Sequence, residues 1–320
     1  MPKGLSFECD EPEASRAFAR YLGHLAFGLA HLGPEPIRLA VHVVQPDDVP
    51  PIPFGASLLA PRHRYAVGRL GAELIYSVAG LACVSVAPTT GRAKIWTTVF
   101  DPDSVAELVS IAVLEIASFR GFYGLHAGAV VRDGVGYLLP GASGSGKTSV
   151  CLALTRAGFG YLTDDFLLLR ADADGLRGVP CFRTFKIDAS WATRFAELSF
   201  LNDLPPSDGK RMFDPEACYP GSHVPSIRPA IIVFPAIVTD DDSTVREVSR
   251  REAFSRLLPQ IRLSADRRAA AAHLSLLGAL VRDCVAFELR HGADFLRAPV
   301  ATVRRLFDTL AAQPAASETR

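Results

Sequence analysis

Apolar and polar residues change their spacing several times along the chain, and each change marks an element. From Ser15, SRAFARYLGHLAFGLAHL spaces its apolar residues as one face of a helix does. QPDDVPPIPFG, from Gln45, breaks the pattern with prolines and predicts a connector. Residues 37–44, 65–67, 73–78 and 94–100 carry the β-branched and aromatic residues of strands. Asp101-Pro102-Asp103-Ser104 predicts a helix start with Asp103 or Ser104 as N-cap. The helix that follows, to about Arg120, is apolar on most sides, which predicts burial.

The texture changes at Gly124. LHAGAVVRDGVGYLLPG predicts a hairpin, two strands joined by the turn chemistry of Asp133-Gly134. The second strand runs straight into a glycine-rich loop, and SVCLALTRAG predicts a short helix capped at Gly158. FGYLTDDFLLLR reads as a strand broken by two carboxylates, and ADADGLRG as a turn. The chain is strand-like again as far as Lys186. Residues 200–229, with six prolines, read as loop, and AIIVFPAIV as a buried strand. Helices are predicted over 250–258, 266–281 and 301–311, with a strand over 285–290. There is no internal repeat and no low-complexity segment. The expected fold is α/β, with a smaller α/β region over residues 1–120 and a larger domain over 121–320.

Composition narrows the function classes. The 320 residues are 49% hydrophobic, enough for a sizeable core. Thirty-four basic residues balance 34 acidic ones, which argues against a general binder of nucleic acid or of anionic membrane. The six cysteines (Cys9, Cys83, Cys151, Cys181, Cys218 and Cys284) are scattered with no C-x-x-C spacing. They read as free thiols of a reducing compartment rather than a disulfide framework or a zinc site. The N-terminal residues carry no apolar signal segment, and no apolar stretch is long enough to span a bilayer, so a cytoplasmic protein is the expectation.

The chemistry is concentrated in one loop. Gly141-Ala142-Ser143-Gly144-Ser145-Gly146-Lys147-Thr148 satisfies G-x-x-x-x-G-K-[ST] in full, and Ser149 follows it. Small residues let backbone N–H groups turn inward around an anion, and the next helix points its positive end at the same place. Lys147 supplies a point charge for β- and γ-phosphates, and the Thr148 hydroxyl is suited to Mg²⁺. G-x-G-x-x-G does not occur, so a dinucleotide is disfavoured. A bare Gly/Ser turn would carry the same letters, but the flanking strand and helix favour the nucleotide.

Asp164-Asp165 lies 16 residues past Thr148, room for one helix and one strand that would bring the chain back beside the loop. Neighbouring side chains on a strand face opposite ways, so one carboxylate can reach a metal while the other faces an acceptor. His126 by itself is ambiguous, since a lone strand histidine is more often structural.

These elements together, LHAGAVV…GYLLPGASGSGKTSVCLALTRAGFGYLTDDFLLL, resemble the catalytic core of the HPr kinase/phosphorylase family. The match is firm over residues 124–170 and looser to about 300. The family's Leu-His strand, glycine-rich loop, Gly-terminated helix and Asp-Asp pair all occur here in order. The resemblance implies a P-loop kinase core related to ATP-dependent phosphoenolpyruvate carboxykinase. It implies a triphosphate held by Gly141 to Lys147, Mg²⁺ held by Thr148 and Asp165, Asp164 as the base, and His126 beside the transferred phosphate. ATP is implied over GTP, with no N-K-x-D motif present. The family's Glu-Ile-Arg-Gly-type stretch is missing where PCFRTFKIDASW stands, which speaks against phosphorylase activity and against HPr as substrate. The chain resembles the looser, kinase-only relatives, some of which are found with peptide natural-product pathways and phosphorylate a precursor peptide.

Cations beyond the loop are candidates for neutralising the leaving phosphate. Lys186 ends a strand-like run, and Lys210 and Arg211 lie in the polar stretch SDGKRMFDPE, suited to closing over a substrate. Each has a plain alternative as a solvated charge. Arg228 and the paired arginines at 267–268 and 304–305 read as surface. The expected function is ATP-dependent transfer to a hydroxyl, most simply Ser, of a peptide or small protein. A nucleotide-dependent interaction module and a small-molecule kinase are the alternatives. Residues 1–120 are expected to recognise substrate or to mate subunits in a homo-oligomer.

Overall fold

The structure, a computed structural model, describes residues 4–29, 31–62, 64–204 and 210–311. The chain divides into two compact units, Met1–Tyr123 with Leu263–Leu274, and Gly124–Arg262 with Ser275–Arg320.

The first unit is built on β1 (Leu5–Cys9), α1 (Pro12–Leu29), β2 (Ile37–Val43), β3 (Ser57–Arg62), β4 (Tyr65–Leu70), β5 (Glu73–Val78), β6 (Ala82–Ala87), β7 (Arg92–Thr97) and α2 (Pro102–Phe119). Its seven-stranded sheet runs β1-β2-β7-β6-β5-β4-β3, parallel across the first three strands and antiparallel thereafter. Helix α1 buries Ala14, Phe18, Leu22, Leu25 and Leu29, a stripe at helical spacing. Helix α2 is buried along most of its length, as its all-round apolar character predicts.

The cap of α2 corrects the sequence expectation. Asp101, not Asp103 or Ser104, is the N-cap, and its carboxylate accepts from the backbone N–H groups of both of those residues at 3.1 Å. Pro102 takes the first helical position, where its missing N–H costs nothing. Asp101→Ala is expected to destabilise the first unit by about 1 kcal/mol, measured by denaturant unfolding. Wild-type stability would remove the cap from the account. The strand read at 94–100 is β7, two residues earlier at its start and ending at Thr97. There the Thr97 hydroxyl accepts from the Val99 N–H at 3.1 Å and turns the chain.

The second unit contains β8 (Tyr123–Arg132), β9 (Val135–Pro140), α3 (Lys147–Arg156), β10 (Gly160–Thr163), β11 (Phe166–Asp172), β12 (Gly175–Pro180), β13 (Phe185–Ile187), β14 (Arg211–Phe213), β15 (Pro229–Ile237), β16 (Thr244–Glu247), α4 (Arg250–Leu257), α5 (Arg267–Asp283), β17 (Val285–His291), α6 (Ala293–Arg297) and α7 (Pro299–Ala311). The start of α5 falls in the stretch that belongs to the first unit. The sheet order is β12-β11-β8-β9-β15-β17-β16, with β10 paired to β8. Strands β9, β15 and β17 are parallel and end along one edge. The hairpin of β8 and β9 turns at Asp133 (φ 52°) and Gly134 (φ 79°), both left-handed, as a two-residue primed turn requires. ADADGLRG is not a turn throughout: β11 and β12 pair through Asp172↔Gly175, so only Ala173 and Asp174 form the connection. Helix α3 ends one residue before the expected cap. Ala157 is the C-cap, Gly158 (φ 99°) follows it, and the Phe159 N–H bonds the Leu154 carbonyl at 3.0 Å, closing a Schellman motif. The core joins Tyr137, Phe159 and Phe307, with ring centroids 5.2–5.8 Å apart, to the apolar sides of α3 and α7.

Among the described residues, no helix is long and apolar enough to cross a membrane. All six cysteines are free, and four of them (Cys83, Cys151, Cys181 and Cys284) are buried.

Candidate functional site

The glycine-rich loop leaves the carboxyl end of the parallel strand β9 and opens α3, the position at which open α/β sheets bind ligands. Gly144 (φ 82°) and Gly146 (φ 94°) are left-handed, conformations that let successive backbone N–H groups face a common centre. Gly146 caps α3 with no side-chain bond, leaving the first N–H groups of the helix to whatever lies before it. Ala142, Ser143 and Gly144 form an exposed crest. The Ser145 hydroxyl is buried with no partner, and a Cβ at Gly141 would lie 2.6 Å from it. Lys147 is only 6% exposed and folds back so that Nζ donates to the carbonyls of Gly141 (2.6 Å) and Ala142 (2.9 Å). Burial lowers its pKa, opposed chiefly by the charge of Asp165.

The two aspartates stand in the gap between β10 and β11, as the broken-strand pattern predicts. A register shift between Tyr161 and Thr163 in the β10–β8 pairing re-aims the chain just before them. Gly128 of β8 makes the approach possible. A Cβ there would strike the Cys151 sulfur of α3 and would lie 3.6 Å from Cα of Asp164. Helix α3, strand β9 and Asp164 therefore meet at one point of β8.

From that point the neighbouring carboxylates diverge. Asp164 turns inward and is 2% exposed. It accepts from the Thr148 hydroxyl, the Lys186 backbone N–H and the Tyr161 hydroxyl, the last at 3.2 Å. Burial, and then the charge of Asp165, push its pKa up to about 7 despite those bonds. Asp165 turns outward with 55% of its side chain exposed, and its Oδ1 lies 3.1 Å from His126 Nε2. The dense protein around it opposes ionisation. The hydrogen bond and charge of His126, with Lys147 and Lys186, outweigh that and hold its pKa below the usual carboxylate range.

Sequence candidates outside the loop separate into two groups. The backbone of Lys186 reaches Asp164 while its charge acts on Asp165, so it belongs to the site. Lys210 is close enough for its charge to act on Lys147. Arg211 instead donates Nε to the Leu201 carbonyl at 3.2 Å, a bond that holds the local chain. Arg228 pairs with Asp174 on the surface at 2.9 Å. The preceding part of the polar stretch, residues 207–209, lies outside the described residues. Two site residues carry no signal in the sequence. Tyr161 reads as part of an apolar strand, yet its hydroxyl meets Asp164. His291 lies 146 positions from Ser145, and its Nε2 is 3.2 Å from the Ser145 carbonyl.

The residues fit a magnesium–triphosphate group. The loop offers N–H donors, an unpartnered buried hydroxyl and a buried cation, and a hydroxyl–carboxylate pair, Thr148 with Asp164, stands at the start of α3.

No family model matches the chain. No curated protein matches it. Among solved structures, the Hpr(Ser) kinase/phosphatase from Coxiella burnetii is similar at 13% identity over 59% of this chain and 99% of its own, with a TM-score of 0.30.

Proposed function

We propose that the second unit is an ATP-dependent phosphotransferase that moves the γ-phosphate to a hydroxyl, most simply a serine of a peptide or small protein. One observation carries the reading. A complete G-x-x-x-x-G-K-T loop, with Gly144 and Gly146 left-handed and Lys147 buried, opens a helix whose Thr148 is bonded to one of two paired aspartates. The nature of the acceptor is taken from the resemblance of residues 124–170 to peptide- and protein-directed kinases.

Phosphoryl transfer asks for clamped phosphates and a positioned nucleophile rather than covalent help from the protein. Loop N–H groups and Lys147 bind and orient the triphosphate. Thr148 and Asp164 would hold Mg²⁺, which when bound supplies charge neutralisation on the phosphate oxygens. Asp165 faces the solvent side, where an acceptor enters. It takes the proton of the acceptor hydroxyl as the new O–P bond forms and the bond from Pγ to the ADP oxygen breaks, the electron pair leaving with ADP. His126 holds the Asp165 carboxylate in orientation, and Lys186 adds positive charge beside it.

This reading exchanges the roles that the resemblance suggested for the aspartates. Asp164 is enclosed and its oxygens accept three donors, so a bulky acceptor has no path to it, while Asp165 is open. Geometry takes precedence over pKa in choosing a base.

The test is transfer from γ-labelled ATP with Mg²⁺ to serine-containing peptides, including those encoded beside the gene, with Lys147→Ala as control. Label on a serine that disappears in the variant is the expected result. Bound ATP with no label on any peptide would overturn the peptide acceptor and leave the small-molecule kinase or the nucleotide-dependent interaction module.

A further inference from the structure

The edge of the sheet on which the loop sits carries a second side chain directed at it. The pairing Ile237↔His291 places His291 at the last position of β17, beside the last residue of β15. Strand β15 also pairs with β9, which feeds the loop. His291 thus reaches the loop from two strands away. It is 4% exposed, and its ring packs on Phe295 with centroids 5.0 Å apart. The chain behind it is pinned. The Ser243 hydroxyl accepts from the Gly292 N–H at 2.9 Å, and the Asp294 carboxylate accepts from Ser243 and from Arg305.

The Ser145 carbonyl can only accept, so the His291 Nε2 carries the hydrogen between them. In a trans peptide the C=O and N–H point opposite ways. Drawing the Ser145 carbonyl toward His291 therefore turns the Gly146 N–H away from the His291 ring. The absence of a Cβ at Gly146 is part of the same contact, because one built there would overlap the His291 ring. Gly146 is also the residue whose freedom would otherwise allow the 145–146 peptide to flip, presenting a carbonyl oxygen to the anion.

We propose that His291 is a positioning residue of the phosphate loop. It locks the Ser145–Gly146 peptide with the Gly146 N–H aimed at the nucleotide's phosphates, and so sets the affinity for the triphosphate. This rests on the nucleotide reading above.

The test is calorimetric titration of the full chain with MgATP, alongside thermal melting without nucleotide. His291→Gln keeps a donor at similar reach and loses the ring; His291→Phe keeps the ring and loses the donor. The phenylalanine variant is expected to bind about five- to tenfold more weakly, and the glutamine variant within about twofold of wild type. His291→Asn, whose amide is too short to reach Ser145, is expected to follow phenylalanine and serves if that variant does not fold. A merely structural role would move melting and leave the order of affinities unrelated to the donor. Wild-type affinity in a folded phenylalanine or asparagine variant overturns the positioning role and leaves the nucleotide site standing. A wild-type protein that does not bind MgATP overturns both.

Discussion

Lys147→Ala is expected to lower phosphoryl-transfer turnover by ~10²-fold or more, the scale of losing one preorganised electrostatic contact to the reacting group. The side chain is 6% exposed and its Nζ is held by two loop carbonyls, Gly141 and Ala142. It is therefore placed before any ligand arrives, and little reorganisation is needed to move it onto a phosphate. Burial lowers its pKa, while the charges of Asp165 and Asp164 raise it again. Alanine removes the cation from the neighbourhood of both carboxylates and strips two carbonyls of their donor, so the loop loosens as well. Affinity for MgATP should fall with turnover, since the contact exists in the bound ground state too. Steady-state rates with labelled ATP, set beside calorimetric affinities, measure both effects. Wild-type turnover in this variant would remove Lys147 from the reaction.

The two aspartates are expected to fail differently. Asp165→Asn should cost ~10²-fold or more in turnover, the range of a lost general base, with MgATP affinity close to wild type. Asp164→Asn should lower turnover by a similar factor and weaken MgATP as well, if Thr148 and Asp164 hold the metal as proposed. A second signature belongs to Asp164 alone. Its carboxyl keeps a proton in the folded state up to about pH 7, whereas the unfolded chain releases it near the ordinary value of 3.8. The folded state therefore binds more protons across that window, and stability falls as pH rises through it. Fully developed above pH 7, the penalty is on the order of 4 kcal/mol. Asparagine has no such titration, so the melting temperature of Asp164→Asn relative to wild type should rise between pH 4 and pH 8. Parallel melting curves across that range would show that Asp164 is not held protonated. Asp165 titrates with the opposite sign: its depressed pKa adds stability above the ordinary carboxylate range, and this is lost as pH falls.

What could be read along the chain was local. The hairpin follows from Asp133-Gly134, two adjacent residues that accept left-handed conformations. The loop's glycines, the helix after it and the strand broken at Asp164-Asp165 are likewise patterns of near neighbours, and the structure has each of them. Strands were missed where neighbours in space decide the matter. ACVSVA of β6 is too small and mixed to announce itself, but it lies between β5 and β7 with partners on both sides. SLLAPR of β3 contains Pro61, which reads as a breaker yet is tolerated on the edge strand that β3 proves to be. LSFEC of β1 and TVRE of β16 are likewise short edge strands.

The sequence by itself determined the chemistry on offer: a glycine-rich loop with its lysine and threonine, two carboxylates and a histidine upstream. Only the tertiary structure decided how that chemistry is divided. Asp164 and Asp165 are the same residue type side by side, and what separates them is that one is turned into the protein against Thr148 and Tyr161 and the other out toward His126. His291 has no local mark, because its role depends on parallel pairing that carries β17 to the edge where β9 ends. Burial and long-range register are properties of the folded chain as a whole. A run of neighbouring residues specifies turns, caps and loops, because those are closed by bonds within a few positions, whereas the environment of a carboxylate is set by whatever the sheet brings to it.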